Sequence, residues 1–244
     1  MKIFAANWKL HKNPKETREF FQEFKALCSL RPQTKVLFFP QAICLEAALT
    51  AVSGTGISCG AQNIYFESKG AFTGENSAQN AKEMGAEWAL IGHSERRSLF
   101  GEVDHGLAKK VAHAQSLGLS PMLCIGETLD QREKGETNSV LKLQLVQGLS
   151  LAEKSKPLAI AYEPVWAIGT GKVASIEQVR ETHQAVRQML TELGFSTSTP
   201  ILYGGSVKKD NAKDLIQIPN VDGFLVGGAS LEPKSFWDIC SVDV

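Results

Sequence analysis

The chain has 244 residues, a length that fits one large domain or two small ones. A chain of this size buries roughly 70–75% of its unfolded surface, so its core needs neither disulfides nor a metal ion. The chain has 26 basic residues, lysine and arginine, and 26 acidic residues, aspartate and glutamate. The resulting net charge of zero argues against binding to nucleic acid.

No composition shift or low-complexity tract divides the chain, which predicts a single domain over residues 1–244. The 5 cysteines are scattered and never form a C-x-x-C pair, as expected of reduced, buried thiols. The first apolar run is too short for a signal peptide, because Asn7 and Lys9 close it. No apolar stretch reaches the roughly 18 residues of a membrane span, so we expect a cytoplasmic protein.

Short apolar runs recur along the chain, each followed by a longer segment with helical spacing. The runs are almost continuously hydrophobic, which is typical of parallel strands covered by helices on both faces. The predicted strands lie at 3–7, 36–40, 57–62, 88–92, 121–126, 158–163, 200–204 and 222–227.

The segments between these runs carry the signals of helix ends. Asn13, Pro14 and Glu16 supply an N-cap, a first-turn proline and an acidic third residue, and Ser175 with Gln178 forms a capping box. The apolar stripe that follows, and that ends before Gly194, consists of Ile176, Val179, Val186, Met189, Leu190 and Leu193.

Eight strand–helix repeats in about 250 residues match an α/β fold with one (β/α)8 barrel of eight parallel strands, the TIM barrel, better than a doubly wound sheet. Functional residues of such barrels lie on the loops that follow the strands. Polar and glycine residues concentrate at these strand ends: Asn7, Lys9, His93, Glu127, Glu163, Gly204, Gly205, Ser206, Gly227 and Gly228.

The last two predicted strands each end in a pair of glycines, 204–205 and 227–228. Paired glycines let backbone N–H groups converge without interference from Cβ atoms, and a helix that starts nearby adds positive dipole character. The phosphate site of a (β/α)8 barrel is expected after strands 7 and 8. The glycines therefore predict an anion socket, although tight turns alone also require glycine.

Glu163 ends the sixth predicted strand and precedes the apolar segment 164–168. Exclusion of water there would raise the pKa of its carboxyl toward the range of a general base. Gly169 and Gly171 follow, and a loop with such hinges is typical of a lid that closes on a ligand. The segment 169–174 also fits a dinucleotide-binding pattern, but Pro164 separates it from its strand and argues against that interpretation.

His93 ends the fourth predicted strand, where a helix begins. A helix N-terminus disfavours the imidazolium ion, so we expect a neutral ring that donates a hydrogen bond. Asn7 and Lys9 are spaced to face the same side of their strand, and a lysine there can neutralise a phosphate or form a Schiff base. We expect 95–97 to form structural salt bridges, and the histidine spacings predict no metal site.

Five segments together resemble the triosephosphate isomerase family, in order and along the whole chain. They are 7–9, 91–97, 161–172, 203–206 and 226–229. The resemblance implies an intramolecular aldose–ketose isomerase of glycolysis and gluconeogenesis. Such an enzyme interconverts dihydroxyacetone phosphate and D-glyceraldehyde 3-phosphate through an enediolate, without a cofactor.

The resemblance also implies a role for each matching residue. Glu163 is similar to the base that moves a proton between C1 and C2, and His93 to the neutral electrophile that polarises the carbonyl. Lys9, with Asn7 beside it, matches the cation that holds the anionic substrate. The residues that match the family's backbone N–H donors to the phosphate are Gly169, Ser206, Gly227 and Gly228.

The segment 62–75 is unusually long between a strand and its helix. The resemblance implies that it inserts into a partner subunit near Asn7 and His93 and so forms a homodimer, whereas the sequence alone also fits a mobile surface loop. One departure is Lys208, where the family often has asparagine. The alternatives left open are an aldolase that uses Lys9, an isomerase of larger sugar phosphates, and a non-catalytic phosphosugar sensor.

Overall fold

Eight parallel strands form a closed barrel in which each strand pairs with its neighbours in chain order and the last pairs with the first. The computed structural model describes residues 1–169 and 172–242. All eight predicted strands are confirmed, with ends that agree to within two residues. The strands are β1 (Lys2–Asn7), β2 (Thr34–Phe39), β3 (Ser58–Ala61), β4 (Trp88–Ile91), β5 (Ser120–Ile125), β6 (Ala159–Tyr162), β7 (Ile201–Tyr203) and β8 (Gly223–Val226).

Helices follow the strands and cover the barrel from outside. They are α1 (Pro14–Leu27), α2 (Leu45–Val52), α3 (Ala78–Glu83), α4 (Ser94–Phe100), α5 (Asp104–Ser116), α6 (Leu129–Glu133), α7 (Thr137–Gly148), α8 (Ile176–Glu192), α9 (Lys209–Ile216) and α10 (Pro233–Cys240). Short 3-10 helices span Ala42–Cys44, Val165–Ala167 and Gly228–Ser230. The (β/α)8 prediction is confirmed.

The predicted helix caps are present. The Asn13 side chain accepts hydrogen bonds from the backbone N–H of Glu16, and the Glu16 carboxylate accepts one from Asn13. Ser175 and Gln178 form the same reciprocal pair at the start of α8. Most of the predicted α8 stripe is buried, but Ile176, the first residue of the helix, is 40% exposed.

The inside of the barrel is filled by alternate strand side chains. Ile3 and Ala5 point inward, whereas the intervening Phe4 and Ala6 pack against the surrounding helices. The interior cluster comprises Ile3, Ala5, Leu37, Phe39, Trp88, Leu90, Met122, Cys124, Ala159, Ala161, Leu202 and Leu225. These side chains fill the barrel, and the sites of such barrels lie at the carboxyl ends of the strands.

All five cysteines are free thiols, as predicted, although Cys28 is only half-buried. Burial raises the pKa of the Cys124 thiol well above its ordinary value, so this group stays protonated inside the barrel. Within 1–169 and 172–242, no helix is both long and apolar enough to cross a membrane.

Candidate active site

The predicted site residues meet in one cavity of about 250 Å³ at the carboxyl ends of the strands. Its lining contains every residue that the sequence singled out for catalysis or substrate binding: Asn7, Lys9, His93, Glu163, Gly169, Ser206, Gly227 and Gly228. These residues come from five different strand ends, and the closed barrel brings them together because its parallel strands all end on the same face.

Glu163 and His93 contact each other directly. The Glu163 Oε1 atom lies 2.9 Å from His93 Nε2, and Glu163 Oε2 accepts a 3.0 Å hydrogen bond from the backbone N–H of Ser94. The two side chains are only 2% and 7% exposed. The backbone N–H of Glu163 donates to Ile125 at 2.7 Å, which continues the pairing of β6 with β5 past the end of the strand.

These contacts determine the pKa of the glutamate. Burial by itself would raise the pKa of Glu163, but the His93 ring and the Ser94 N–H stabilise the carboxylate and bring its pKa below the ordinary value. The sequence led us to expect a raised pKa. The difference arises because the sequence does not reveal that His93 and Ser94 solvate the carboxylate in this conformation.

Opposing influences act on the His93 ring. The ring precedes α4, and its Nδ1 atom accepts a 3.3 Å hydrogen bond from the backbone N–H of Glu95, which favours an unprotonated Nδ1. Burial lowers the pKa of His93, but the carboxylate of Glu163 outweighs it, and the pKa lies above the ordinary value. The neutral ring expected from the sequence stays a prediction, and the contact with Glu163 acts against it in this conformation.

Lys9 reaches the cavity through an unusual backbone conformation. The strand β1 ends at Asn7, and Lys9 has a φ of 49°, in the left-handed region. Its backbone N–H donates to Asn7 Oδ1 at 3.0 Å, and its carbonyl accepts from Gln62 at 2.8 Å. Lys9 therefore does not reach the cavity by the alternation of side chains along a strand that the sequence predicted. Nothing in the sequence indicated that Gln62 contacts Lys9.

The charged side chains of 95–97 form ion pairs that fix α4 and Lys9. Glu95 Oε1 lies 2.6 Å from Lys9 Nζ, so the lysine is ion-paired. Arg96 pairs with Glu102 at 2.6 Å, and Arg97 with Asp104 at 2.7 Å. The predicted structural salt bridges are present.

The two glycine pairs lie side by side at the ends of β7 and β8. The first pair is required by close packing: a Cβ at Gly204 would lie 2.9 Å from the Glu163 side chain, and one at Gly205 would overlap the Tyr203 hydroxyl. A Cβ at Gly228 would meet nothing within 4 Å, so the absence of a side chain there leaves the cavity open. The N–H groups at the start of the 3-10 helix Gly228–Ser230 border this space.

Lys208 lines the same cavity. The loop that contains it is held by Asn211 of α9, whose side chain accepts a 2.8 Å hydrogen bond from Lys208 N–H and donates a 3.0 Å bond to the Ser206 carbonyl. Asn211 is not among the site residues predicted from the sequence, although the third position of a helix is a common one for a capping side chain.

The segment after Glu163 is attached to Glu127, which the sequence marked only as a polar strand end. The fully buried Glu127 carboxylate accepts hydrogen bonds from Tyr162 Oη at 3.1 Å and Trp166 Nε1 at 2.9 Å, and it pairs with Arg132 at 2.9 Å. Gly169, with a φ of 67°, lines the cavity. Gly171, the second predicted hinge, lies outside the described residues.

A larger cavity of about 530 Å³ adjoins the site and shares Asn7, Lys9 and His93 with it. It opens beside exposed apolar side chains, among them Leu10, at 86% exposure, and Phe100, at 66%. In the described parts of the chain, no three histidine, cysteine or acidic side chains form a group that could hold a metal ion.

The fold and the site define a class: a (β/α)8-barrel protein with a buried carboxylate–imidazole pair beside a lysine and a glycine-lined socket. The family model of triosephosphate isomerase matches residues 2–243. Triosephosphate isomerases of Bdellovibrio bacteriovorus and Oleidesulfovibrio alaskensis are 63% and 49% identical to the chain and cover 99% and 96% of it, with 99% and 97% of their own lengths aligned. That of Solibacter usitatus is 46% identical, and the alignment covers 97% of each chain. The chain belongs to the triosephosphate isomerase family, and it is an isomerase.

Proposed function

We propose that this isomerase interconverts dihydroxyacetone phosphate and D-glyceraldehyde 3-phosphate by proton transfer through an enediolate, as a step of glycolysis and gluconeogenesis. The observation that carries the proposal is the buried contact of Glu163 with His93, at 2.9 Å, in a cavity that also contains Lys9. A carboxylate and an imidazole so placed can act on a carbon-bound proton and on the neighbouring oxygens at once.

Glu163 is the base in this proposal. Its carboxylate is ionised before substrate binds, because its pKa lies below the ordinary value. Substrate must draw it away from His93 and Ser94, and the loss of these two partners in a closed, dry site strengthens it as a base. It then removes a proton from C1 and returns it to C2.

His93 is the electrophile. Once Glu163 has turned to the substrate, Nε2 is free to donate its proton to the carbonyl oxygen, while the Glu95 N–H holds Nδ1 as an acceptor. A fixed donor of this kind stabilises the enediolate more than water does, since it needs no reorientation during the reaction.

Lys9, Asn7 and the socket bind the anionic substrate. The lysine ammonium supplies charge, and the backbone N–H groups of Gly169, Ser206, Gly227 and Gly228 bind the phosphate. Gly169 contributes when the lid closes, which couples phosphate binding to the exclusion of water from the enediolate. Every step uses the chain's own groups, so the proposal includes no cofactor.

We also propose a homodimer through 62–75. The adjoining 530 Å³ cavity and the exposed apolar residues around it support this, because a second copy of that loop could fill the cavity next to Asn7 and His93. Tyr65 packs on Phe66 and Phe72 at centroid distances of 4.2 and 4.6 Å, which gives the loop a fixed shape to insert.

The free cysteines of the chain favour a reducing compartment, and we assign the enzyme to the cytoplasm.

The aldolase alternative is less well supported. A Schiff-base lysine is activated by desolvation, or by another cation that lowers its pKa, whereas Lys9 is paired with Glu95 and 26% exposed. A non-catalytic phosphosugar sensor has no need of the buried Glu163–His93 pair, and the small cavity disfavours larger sugar phosphates.

The test is a coupled assay that follows conversion of glyceraldehyde 3-phosphate to dihydroxyacetone phosphate without added metal or cofactor. We expect fast turnover by the wild type and near-complete loss in Glu163→Gln. A folded wild type without turnover refutes the proposed reaction, and borohydride trapping of Lys9 with substrate would instead support the aldolase.

A further inference from the structure

The residue that follows β5, Gly126, is held by a side chain from outside the barrel. Gln144, in the middle of α7, accepts a 2.8 Å hydrogen bond from the Gly126 N–H through Oε1 and donates a 3.1 Å bond to the Gly126 carbonyl through Nε2. One amide thus binds both polar backbone groups of a single residue. These bonds fix the two peptide planes that meet at Gly126.

Gly126 lies directly against the backbone of Glu163. A Cβ atom at position 126 would overlap the Glu163 carbonyl oxygen and would lie 3.4 Å from its Cα atom. Only glycine allows this approach, and glycine is also the residue whose backbone rotates most freely. The position next to the proposed base is therefore the one that most needs an external restraint.

The residues on both sides of Gly126 accept hydrogen bonds from the segment 163–165. The Ile125 carbonyl accepts from Glu163 N–H at 2.7 Å, and the Glu127 carbonyl accepts from Val165 N–H at 3.1 Å. Rotation of the peptide plane between Ile125 and Gly126 would turn the Ile125 carbonyl away from Glu163 N–H, and rotation of the next plane would displace Glu127, whose carbonyl accepts from Val165. Gln144 therefore restrains the segment against which the Glu163 backbone and the start of the lid both rest.

We propose that Gln144 is a positioning residue that keeps Glu163 in register for proton transfer; this role rests on the proposed function above. Gln144 does not line the substrate cavity, so it acts on the reaction through Gly126 alone. A displacement of the base by about 1 Å can lower the rate of proton transfer by about 100-fold. Substrate binding depends on the glycine socket after β7 and β8, which Gln144 does not contact.

The test is Gln144→Met, which keeps the length and volume of the side chain and removes both hydrogen bonds. The matched control is Gln147→Met, at an exposed position one turn further along α7. Both variants are assayed well below their unfolding temperatures, with the folded fraction checked by circular dichroism. We expect kcat of Gln144→Met to fall about 10-fold, with KM and the inhibition constant of inorganic phosphate unchanged within about 2-fold.

The role is refuted if folded Gln144→Met retains the wild-type kcat, or if Gln147→Met loses as much. It is also refuted if phosphate inhibition weakens while kcat stays constant, since the change would then lie in the anion socket. Should Gln144→Met fail to fold, Gln144→Glu keeps the bond from Gly126 N–H and places a carboxylate against the carbonyl, and we expect the same selective loss of kcat. A wild type without turnover refutes the proposed function itself. If the wild type is active, the kcat of the variants tests the role of Gln144 alone.

Discussion

The Oε1 atom of Glu163 lies 2.9 Å from the Nε2 atom of His93, where both side chains are almost fully withdrawn from solvent. Each group changes the protonation of the other: the ring lowers the pKa of the carboxyl, and the carboxylate raises the pKa of the ring. The contact therefore stabilises the ionised form of Glu163, the base of the proposed reaction, before substrate arrives. In the proposed reaction substrate breaks this contact, which would link substrate binding to activation of the base.

Replacement of the proposed base, Glu163, should separate catalysis from binding. In Glu163→Gln the amide can still accept the Ser94 N–H, so the site keeps its shape, but it cannot take up a proton. We expect kcat to fall roughly 10²–10⁴-fold, while calorimetry finds inorganic phosphate bound with wild-type affinity. Abolished phosphate binding would mean that Glu163 has a structural role instead.

The same variant reports on the histidine. Burial lowers the pKa of His93 and the Glu163 carboxylate raises it, so removal of that charge should move the pKa down. We expect the ring nitrogens, followed by NMR, to titrate at lower pH in Glu163→Gln than in the wild type. In Glu95→Gln the pKa of His93 should fall less, because the charge of Glu95 raises that pKa less than the charge of Glu163 does. Equal titration midpoints in all three proteins would contradict the coupling.

The lid should protect the intermediate. Deletion of 168–171 would leave the enediolate open to water, and we expect lower turnover together with release of inorganic phosphate and methylglyoxal. A phosphate assay during turnover measures this leakage. Slow but clean isomerisation would count against a protective lid.

A buried charge cluster makes stability depend on pH. Burial alone would raise the pKa of Glu102, but its hydrogen bonds with Lys110 and Arg96 lower it below the ordinary value. A carboxyl whose folded pKa is lowered stabilises the protein above its unfolded pKa of about 4.3 and loses that contribution as the pH falls through the folded pKa.

We therefore expect Glu102→Gln to cost on the order of 3 kcal/mol at pH 7, because it leaves the buried Lys110 poorly paired. Urea unfolding at a series of pH values should find this difference shrinking below about pH 4. A difference that stays constant with pH would show that the charge of Glu102 is not responsible.

The dimer is tested at its apolar surface. Phe100 lines the 530 Å³ cavity and is 66% exposed in the single chain. We expect sedimentation of the wild type as a dimer and of Phe100→Asp as a monomer with reduced activity. The variant would bury a carboxylate in place of an apolar ring, and the neighbouring Arg96 is already paired with Glu102. Leu143→Asp, an exposed position on α7, is the control and should leave the dimer intact. A wild type that sediments as a monomer would refute the dimer.

The sequence predicted the elements of the fold because their signals are local. Strand runs such as 88–92 are apolar on both faces, and the caps at Asn13 and Ser175 use side chains that bond within one helical turn. The count of eight repeats then limited the topology, and the order of polar residues at strand ends indicated the face that carries the site.

The tertiary structure alone decided how the site residues affect one another. The pKa of Glu163 is lowered because His93, 70 residues earlier in the chain, lies 2.9 Å away, and no local pattern encodes that distance. The same holds for Gln62 at the Lys9 carbonyl and for Gln144 at Gly126, whose partners lie 53 and 18 residues away. Periodicity and capping act over a few residues, whereas hydrogen bonding and desolvation depend on which strand ends the closed barrel brings together.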